Sequence, residues 1–197
     1  MDPFWNGRWS EAPPAYGDQP NVFLAAHVAA VPVAGEIVCL ADGDGRNGGW
    51  LAGRGFSVTG VDSSEVAVAR ANARGCNGYH AICADLRDWP FPPCDAIVSI
   101  YAHFPPSVRA AVHARAWASL RPGGVFLLEG FSPAQVLLER TSGGPKDVAM
   151  LFTAAMLRGD LPGAVFEVIE ETTTSLSEGP YHVGPAEVFR VLAQKPH

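Results

Sequence analysis

Residues 40–62, LADGDGRNGGWLAGRGFSVTGVD, constrain the fold more than any other stretch: a glycine loop joins two apolar runs, and the second run closes on an acid. The run Glu36 to Ala41 (EIVCLA) has the composition of a strand, Gly43-x-Gly45-x-x-Gly48 follows at once, and Phe56 to Val61 (FSVTGV) ends at Asp62. Glycines let a chain turn tightly out of a strand and bring backbone N–H groups to a ligand, and an acid about 20 residues on can accept ribose hydroxyls. The coincidence of strand, loop, helix and acid predicts a cofactor carrying an adenosine moiety. The simpler alternative is an ordinary strand-to-helix turn, with Asp62 capping a helix that starts near Ser63 or Ser64. The motif alone does not separate a nicotinamide dinucleotide from S-adenosylmethionine, since both present a ribose to that acid.

The rest of the chain continues the alternation. After a Pro- and aromatic-rich opening to Pro20, Asn21 is placed to cap a helix through Phe23, Leu24, His27 and Val28. A helix from Ser64 to Arg74 is stopped by Gly75, YHAICA ends at Asp85, and DAIVSIY spans Asp95 to Tyr101. A helix from Pro106 to Leu120 leads through Arg121-Pro122-Gly123-Gly124 into VFLLEG. Such alternation signals a parallel sheet. Val148, Leu151, Phe152, Ala155 and Met156 recur at helical spacing, which predicts a helix over 147–158. AVFEVIEETTT and AEVFRVLAQK, separated by SEGPYHVG, read as an antiparallel pair at one sheet edge.

A chain of 197 residues that is 48% hydrophobic buries one good core and leaves little room for a separate substrate domain, so a single domain is expected. A net charge of −6 argues against polyanionic partners, nucleic acid or membrane, and favours a small-molecule substrate. Cys39, Cys76, Cys83 and Cys94 lack a CxxC pair, which predicts reduced, mostly buried thiols and no metal site. Neither the N-terminus nor the apolar stretch from Phe23 to Ala41, broken by His27, Pro32 and Glu36, has the pattern of a signal or membrane segment; a cytoplasmic monomer or homodimer is expected.

Asp42-Gly43-Asp44-Gly45-Arg46-Asn47, Asp62, Ala84-Asp85 and the Arg121 to Gly124 turn make the chain resemble the class I S-adenosylmethionine-dependent methyltransferases over nearly its whole length. The segments FWNGRW, YGDQPNVFL, DGDGRN, LEGFSPAQ followed by SGGP, and EGPYHVG resemble the small tellurite-resistance subgroup. The resemblance implies a Rossmann-like α/β fold with a seven-stranded, mostly parallel sheet and an antiparallel C-terminal strand. Residues 1–20 would form a cover segment over a core of 21–197. It also implies roles: Asp42 and Gly43 opening the cofactor loop, Gly45 and Asn47 at the amino-acid end, Asp62 on the ribose with Ser63 beside it, and Asp85 with Leu86 at the adenine. Ser99 and Tyr101 would border the methyl group. Asn6 and Trp9 stand where the subgroup usually has Asp and Tyr, and Asp42 where Glu is common.

Methyl transfer from a sulfonium needs alignment and exclusion of water more than covalent help. A thiolate or chalcogen oxyanion arrives charged, whereas a hydroxyl or amine wants a base such as His103. Tyr16 is a candidate lid residue, with Phe4, Trp5 and Trp9. Each has a plainer reading: His103 as a partner of a backbone carbonyl, Tyr16 as packing, Tyr181 and His182 as a solvated turn, Glu129 as a helix-facing polar contact, Asp85 as a helix cap. No Asp/Asn-Pro-Pro-Tyr/Phe segment occurs, and Phe104-Pro105-Pro106-Ser107 has the wrong order, which disfavours methylation of an adenine amine. The expected function is S-adenosylmethionine-dependent methyl transfer to a small-molecule nucleophile, with a thiol or a chalcogen oxyanion as candidates. A NAD-dependent oxidoreductase and a non-catalytic S-adenosylmethionine-binding module are the alternatives.

Overall fold

Apolar runs with few interior charges suit strands covered on both faces, as a parallel sheet requires. The computed structural model describes residues 3–11 and 14–197 and places these runs side by side. The strands are β1 (Glu36–Leu40), β2 (Ser57–Asp62), β3 (Tyr79–Cys83), β4 (Cys94–Ile100), β5 (Leu120–Phe131), β6 (Val165–Ser177) and β7 (Val183–Gln194). They form one seven-stranded sheet in the order β3-β2-β1-β4-β5-β7-β6. β1 to β5 pair in parallel, and β7 lies antiparallel between β5 and the edge strand β6. The strand order reverses between β1 and β4, the place where such sheets open a crevice beyond the carboxyl ends of their strands.

Helices α1 (Pro3–Ser10), α2 (Val22–His27), α3 (Arg46–Ala52), α4 (Glu65–Ala73), α5 (Pro106–Ser119), α6 (Ala134–Leu137) and α7 (Ala154–Asp160) complete the fold. On one face of the sheet Leu40, Ile97, Phe126 and Leu128 pack with Val112, Ala116 and Trp117 of α5. On the other, Ile37, Cys39, Val98 and Leu127 meet Phe23 and Leu24 of α2 and Leu51 of α3. Neighbouring strand residues thus serve opposite layers. Phe126 is fully buried, and truncating such a residue to Ala costs about 3–5 kcal/mol. Among the described residues no helix is long and apolar enough to cross a membrane.

Two expectations need correction. The helix expected over 147–158 is split into a 3-10 turn at Val148–Met150 and α7. The Phe152 N–H donates to the Phe131 carbonyl at 2.9 Å, and the Thr153 hydroxyl accepts from the Met156 N–H at 3.3 Å. The backbone is therefore drawn to the end of β5 before a newly capped helix begins. Of the four free cysteines, Cys39 and Cys94 are buried while Cys76 is half-buried and Cys83 exposed.

Candidate active site

A cleft of about 900 Å³ opens beyond the carboxyl ends of β1, β2 and β4, under α1. That volume lies within the range of small-molecule sites. Two non-glycine residues in the left-handed region flank it, Ala41 (φ 47°) after β1 and Tyr101 (φ 53°) after β4. Backbone of this kind costs of order 1–3 kcal/mol per residue and gathers at functional sites.

One half of the cleft is built from the glycine loop. Gly43 has φ 58°, and its N–H donates to Asp62 Oδ2 at 2.9 Å. Asp62 Oδ1 accepts from the Ser64 N–H at 2.8 Å, while the Ser64 hydroxyl caps α4 by accepting from Ala67 N–H at 3.2 Å. Asp62 thus ties loop to helix start as the plainer reading held, yet it also lines the cleft, and a carboxylate's roughly four lone-pair positions leave acceptors over. Burial raises its pKa. Gly48 serves packing: a Cβ there would stand 2.3 Å from the Tyr79 ring and 2.5 Å from Asp42 Oδ2. The Tyr79 hydroxyl donates to Asp42 Oδ2 at 2.8 Å, and burial pushes the Asp42 carboxyl up to about 7.

Gly45 turns the chain at φ 78° into α3, and Asn47 Oδ1 accepts from the Asn21 N–H at 2.9 Å. Ser63 and the buried Leu86 line the same half. Asp85 lines it too, but its exposed carboxylate accepts both Nε and Nη2 of Arg87, whose hydrogen bonds lower its pKa. Asp44 pairs with Arg74 at 2.6 Å through Oδ2, leaving a buried Oδ1 with no hydrogen-bond partner among the described residues. A buried oxygen of this kind, in one cleft lining with Asp62 and the glycine loop, suits the hydroxyls and ammonium of a nucleoside-linked amino acid, so the residues present fit S-adenosylmethionine.

Two predicted positions are corrected. Ser99 is fully buried opposite Leu40 and Leu128 and does not line the cleft; it lies one residue too deep in β4 for its side chain to reach the crevice. His103 lines the cleft, but both ring nitrogens are committed. Its Nδ1 lies 2.9 Å from the Met150 carbonyl and its Nε2 accepts from the Phe131 N–H at 3.0 Å. Burial lowers its pKa to about 4, and its ring stacks on Phe152 at 4.7 Å. A neutral ring held this way has no lone pair left for a substrate proton.

The other half is aromatic. Tyr16, Tyr101 and Phe131 surround His182 at ring-centroid distances of 4.6, 4.4 and 5.4 Å. His182 is only 5% exposed, which overturns the solvated-turn reading, and its Nδ1 lies 3.5 Å from Glu178 Oε2. Burial depresses its pKa while Glu178 opposes the shift, favouring a neutral ring. Tyr181 anchors the cover: the Arg8 guanidinium stacks 3.5 Å from its ring centroid, and its hydroxyl donates to Glu11. Trp9 is buried against Gly43. Of the expected cover segment, residues 1–2 and 12–13 lie outside the described residues.

Behind this wall lies a buried polar network. Asn21 Nδ2 donates to Glu129 Oε1 at 2.6 Å and to Glu178 Oε1 at 3.0 Å, while its Oδ1 caps α2 through the Leu24 N–H at 3.0 Å. Glu129 also accepts from the Tyr101 hydroxyl at 2.9 Å and Arg190 Nε at 2.6 Å; Glu178 accepts from Arg46 Nη2 at 2.7 Å. Asn21, Glu178 and His182 carry no glycine-type signature. Their signal was the placement of Glu129 and Arg190 within apolar runs, since charges there demand buried partners.

Residues 37–124 match the family described as a methyltransferase domain. A thiopurine S-methyltransferase from Gluconobacter oxydans (strain 621H) is 36% identical over 70 residues, 34% of this chain and 32% of that enzyme. The match thus spans about a third of the length of that curated relative. Among solved structures, an S-adenosylmethionine-dependent methyltransferase from Methanosarcina mazei aligns with a TM-score of 0.71 at 18% identity, covering 89% of this chain and 99% of its own. TehB from Haemophilus influenzae gives 0.69 at 18% identity, over 88% and 61%.

Proposed function

We propose that this chain is a class I S-adenosylmethionine-dependent methyltransferase that methylates a small thiol or chalcogen oxyanion; its sheet topology and the domain match over residues 37–124 support the reading. The observation that carries the reading is Asp62, held between the Gly43 and Ser64 N–H groups at the wall of a cleft that ends in an aromatic box. S-adenosylmethionine, when bound, supplies a methyl group already activated by its sulfonium.

The chain's residues would do the rest. Asp62 would accept the ribose hydroxyls; Gly43, Gly45 and the Asp44 Oδ1 would hold the amino-acid end; Leu86 and Asp85 would border the adenine. Tyr101 is fixed by its bond to Glu129, and Tyr16 closes the box from the cover segment, so both would confine the acceptor and keep water out. His182, neutral and backed by Glu178, takes the place foreseen for His103: it would receive the proton of an acceptor that arrives protonated. The sulfur preference draws support from the thiopurine S-methyltransferase relative and from the likeness to TehB. The unpaired cysteines suit a reducing, cytoplasmic setting.

Calorimetric titration with S-adenosylmethionine, S-adenosylhomocysteine and NAD tests the cofactor, followed by assay of S-adenosylhomocysteine formation with thiols and with selenite or tellurite. Binding of the first two and turnover with one of these acceptors is expected. Binding of NAD alone would make the chain an oxidoreductase candidate instead.

A further inference from the structure

The acceptor half of the cleft differs in charge from the cofactor half. All four carboxylates on its lining, Asp42, Asp44, Asp62 and Asp85, lie at the ends of β1 to β3. Among the described residues, the lining beyond β4 and β5 contains no carboxylate, while Lys146 and Arg8 both reach it. Arg8 is occupied, stacked on Tyr181 and 3.7 Å from Glu11. Lys146 has no hydrogen bond or ion pair among the described residues, and the neighbouring Asp147 turns its Oδ1 to the Ala149 N–H at 2.9 Å.

The segment carrying Lys146 is fixed. Ser142 Oγ donates to the Pro185 carbonyl at 2.8 Å, and Gln135 Nε2 donates to the Gly143 carbonyl at 2.9 Å. Gly143 and Gly144 have φ 122° and 90° and lie so close to the wall that a Cβ would stand 2.7 Å from the His182 ring and 2.7 Å from the Phe131 ring, respectively. This double glycine lays the loop onto the aromatic box and places Lys146 at the rim of the cleft. Around that mouth Phe104, Val108 and Met150 line the cleft, and Phe4 and Trp5 on α1 lie 59% and 38% exposed.

We infer that the acceptor is a thiol with an apolar, preferably aromatic, body and an anionic substituent, and that Lys146 on the Gly143–Gly144 loop selects it by pairing with that anion. This rests on the methyltransferase reading and narrows it. A bare chalcogen oxyanion has no apolar body to set against Phe104, Val108 and Met150. A carboxylate across from Lys146 also leaves the sulfur free to point inward toward His182 and Tyr101.

The test uses a pair of S-methylated thiol products that differ only in charge, para-(methylsulfanyl)benzoate and para-(methylsulfanyl)benzamide. Binding is measured calorimetrically on the full chain, with and without S-adenosylhomocysteine. The benzoate is expected to bind about fivefold more tightly, the upper range for a solvent-facing ion pair. Lys146→Ala should erase that gap without weakening the benzamide, and Lys146→Glu should reverse it. Lys146 is exposed, so neither change threatens the fold. Equal binding of the two compounds to the unaltered chain, or a gap that survives Lys146→Ala, would overturn the inference. Methylation of para-sulfanylbenzoate is followed in parallel: a Lys146-dependent gap with no transfer to its sulfur would sink the thiol acceptor and leave the anion site standing.

Discussion

At the scale of single residues, the cleft depends on groups whose charge state burial has set. His103, lowered from an ordinary 6.5 to about 4, stabilises the fold as a neutral ring, and that contribution is lost as pH falls from 6.5 through 4. Asp42, raised to about 7, acts oppositely: its contribution is complete below about 4 and lost as pH rises through 7. The two effects overlap, so the His103 contribution is isolated by a variant. The stability advantage of the unaltered chain over His103→Gln should shrink by up to about 3 kcal/mol between pH 6.5 and 4, read by urea unfolding at each pH. A constant difference would mean that the ring is not held neutral. Asp62→Ala should weaken S-adenosylhomocysteine binding by about 1–3 kcal/mol in calorimetry, through lost ribose hydrogen bonds and a freed Gly43 N–H. Asp62 and Gly43 were legible because their geometry follows from positions adjacent along the chain. Asn21 was legible only as the cap of α2, and the places of Asn21, Glu178 and His182 in the buried network and aromatic wall were not, because each comes from partners more than 80 residues away, Glu129, Arg46 and Tyr101 among them.

At the scale of elements, helical spacing in residues 147–158 identified an apolar stripe but not the break within it. The Phe152 N–H is taken by the end of β5, a competitor that periodicity does not record. What α7 gains is a clamp: Asp160 Oδ2 at its end lies 2.9 Å from His113 Nδ1 and 3.1 Å from Arg109 Nε, both on α5. Asp160→Ala should therefore cost about 3–5 kcal/mol of stability in denaturant unfolding, because it leaves a buried guanidinium uncompensated. A loss below about 1 kcal/mol would mean the clamp is replaced by water. The cover element α1 is latched by side chains, Asn6 to Ser64 at 2.7 Å and Trp9 on Gly43, and its mean character is barely amphipathic. Its docking comes from these specific contacts and not from a continuous apolar face.

At the scale of the whole molecule, the two halves of the cleft come from the two halves of the sheet, and a ligand bridging them should tighten both. With S-adenosylhomocysteine at about 100 times its dissociation constant, unfolding should become harder by about 2.7 kcal/mol, while NAD at the same concentration should leave the thermal midpoint unchanged. A shift with NAD alone would contradict the cofactor assignment. The sequence by itself determined the succession of strands along the chain, the glycine loop, its acid and the antiparallel ending, since alternation, turn residues and apolar runs are local and each permits few backbone paths. Only the tertiary structure decided which polar groups face the cleft. It turned Ser99 inward, consumed both nitrogens of His103, and carried the 178–182 turn and the Lys146 loop to the aromatic half of the cleft. The physical reason is that a buried polar group must find its partner wherever the packed chain offers one, and that partner is set by three-dimensional proximity, not by spacing along the sequence.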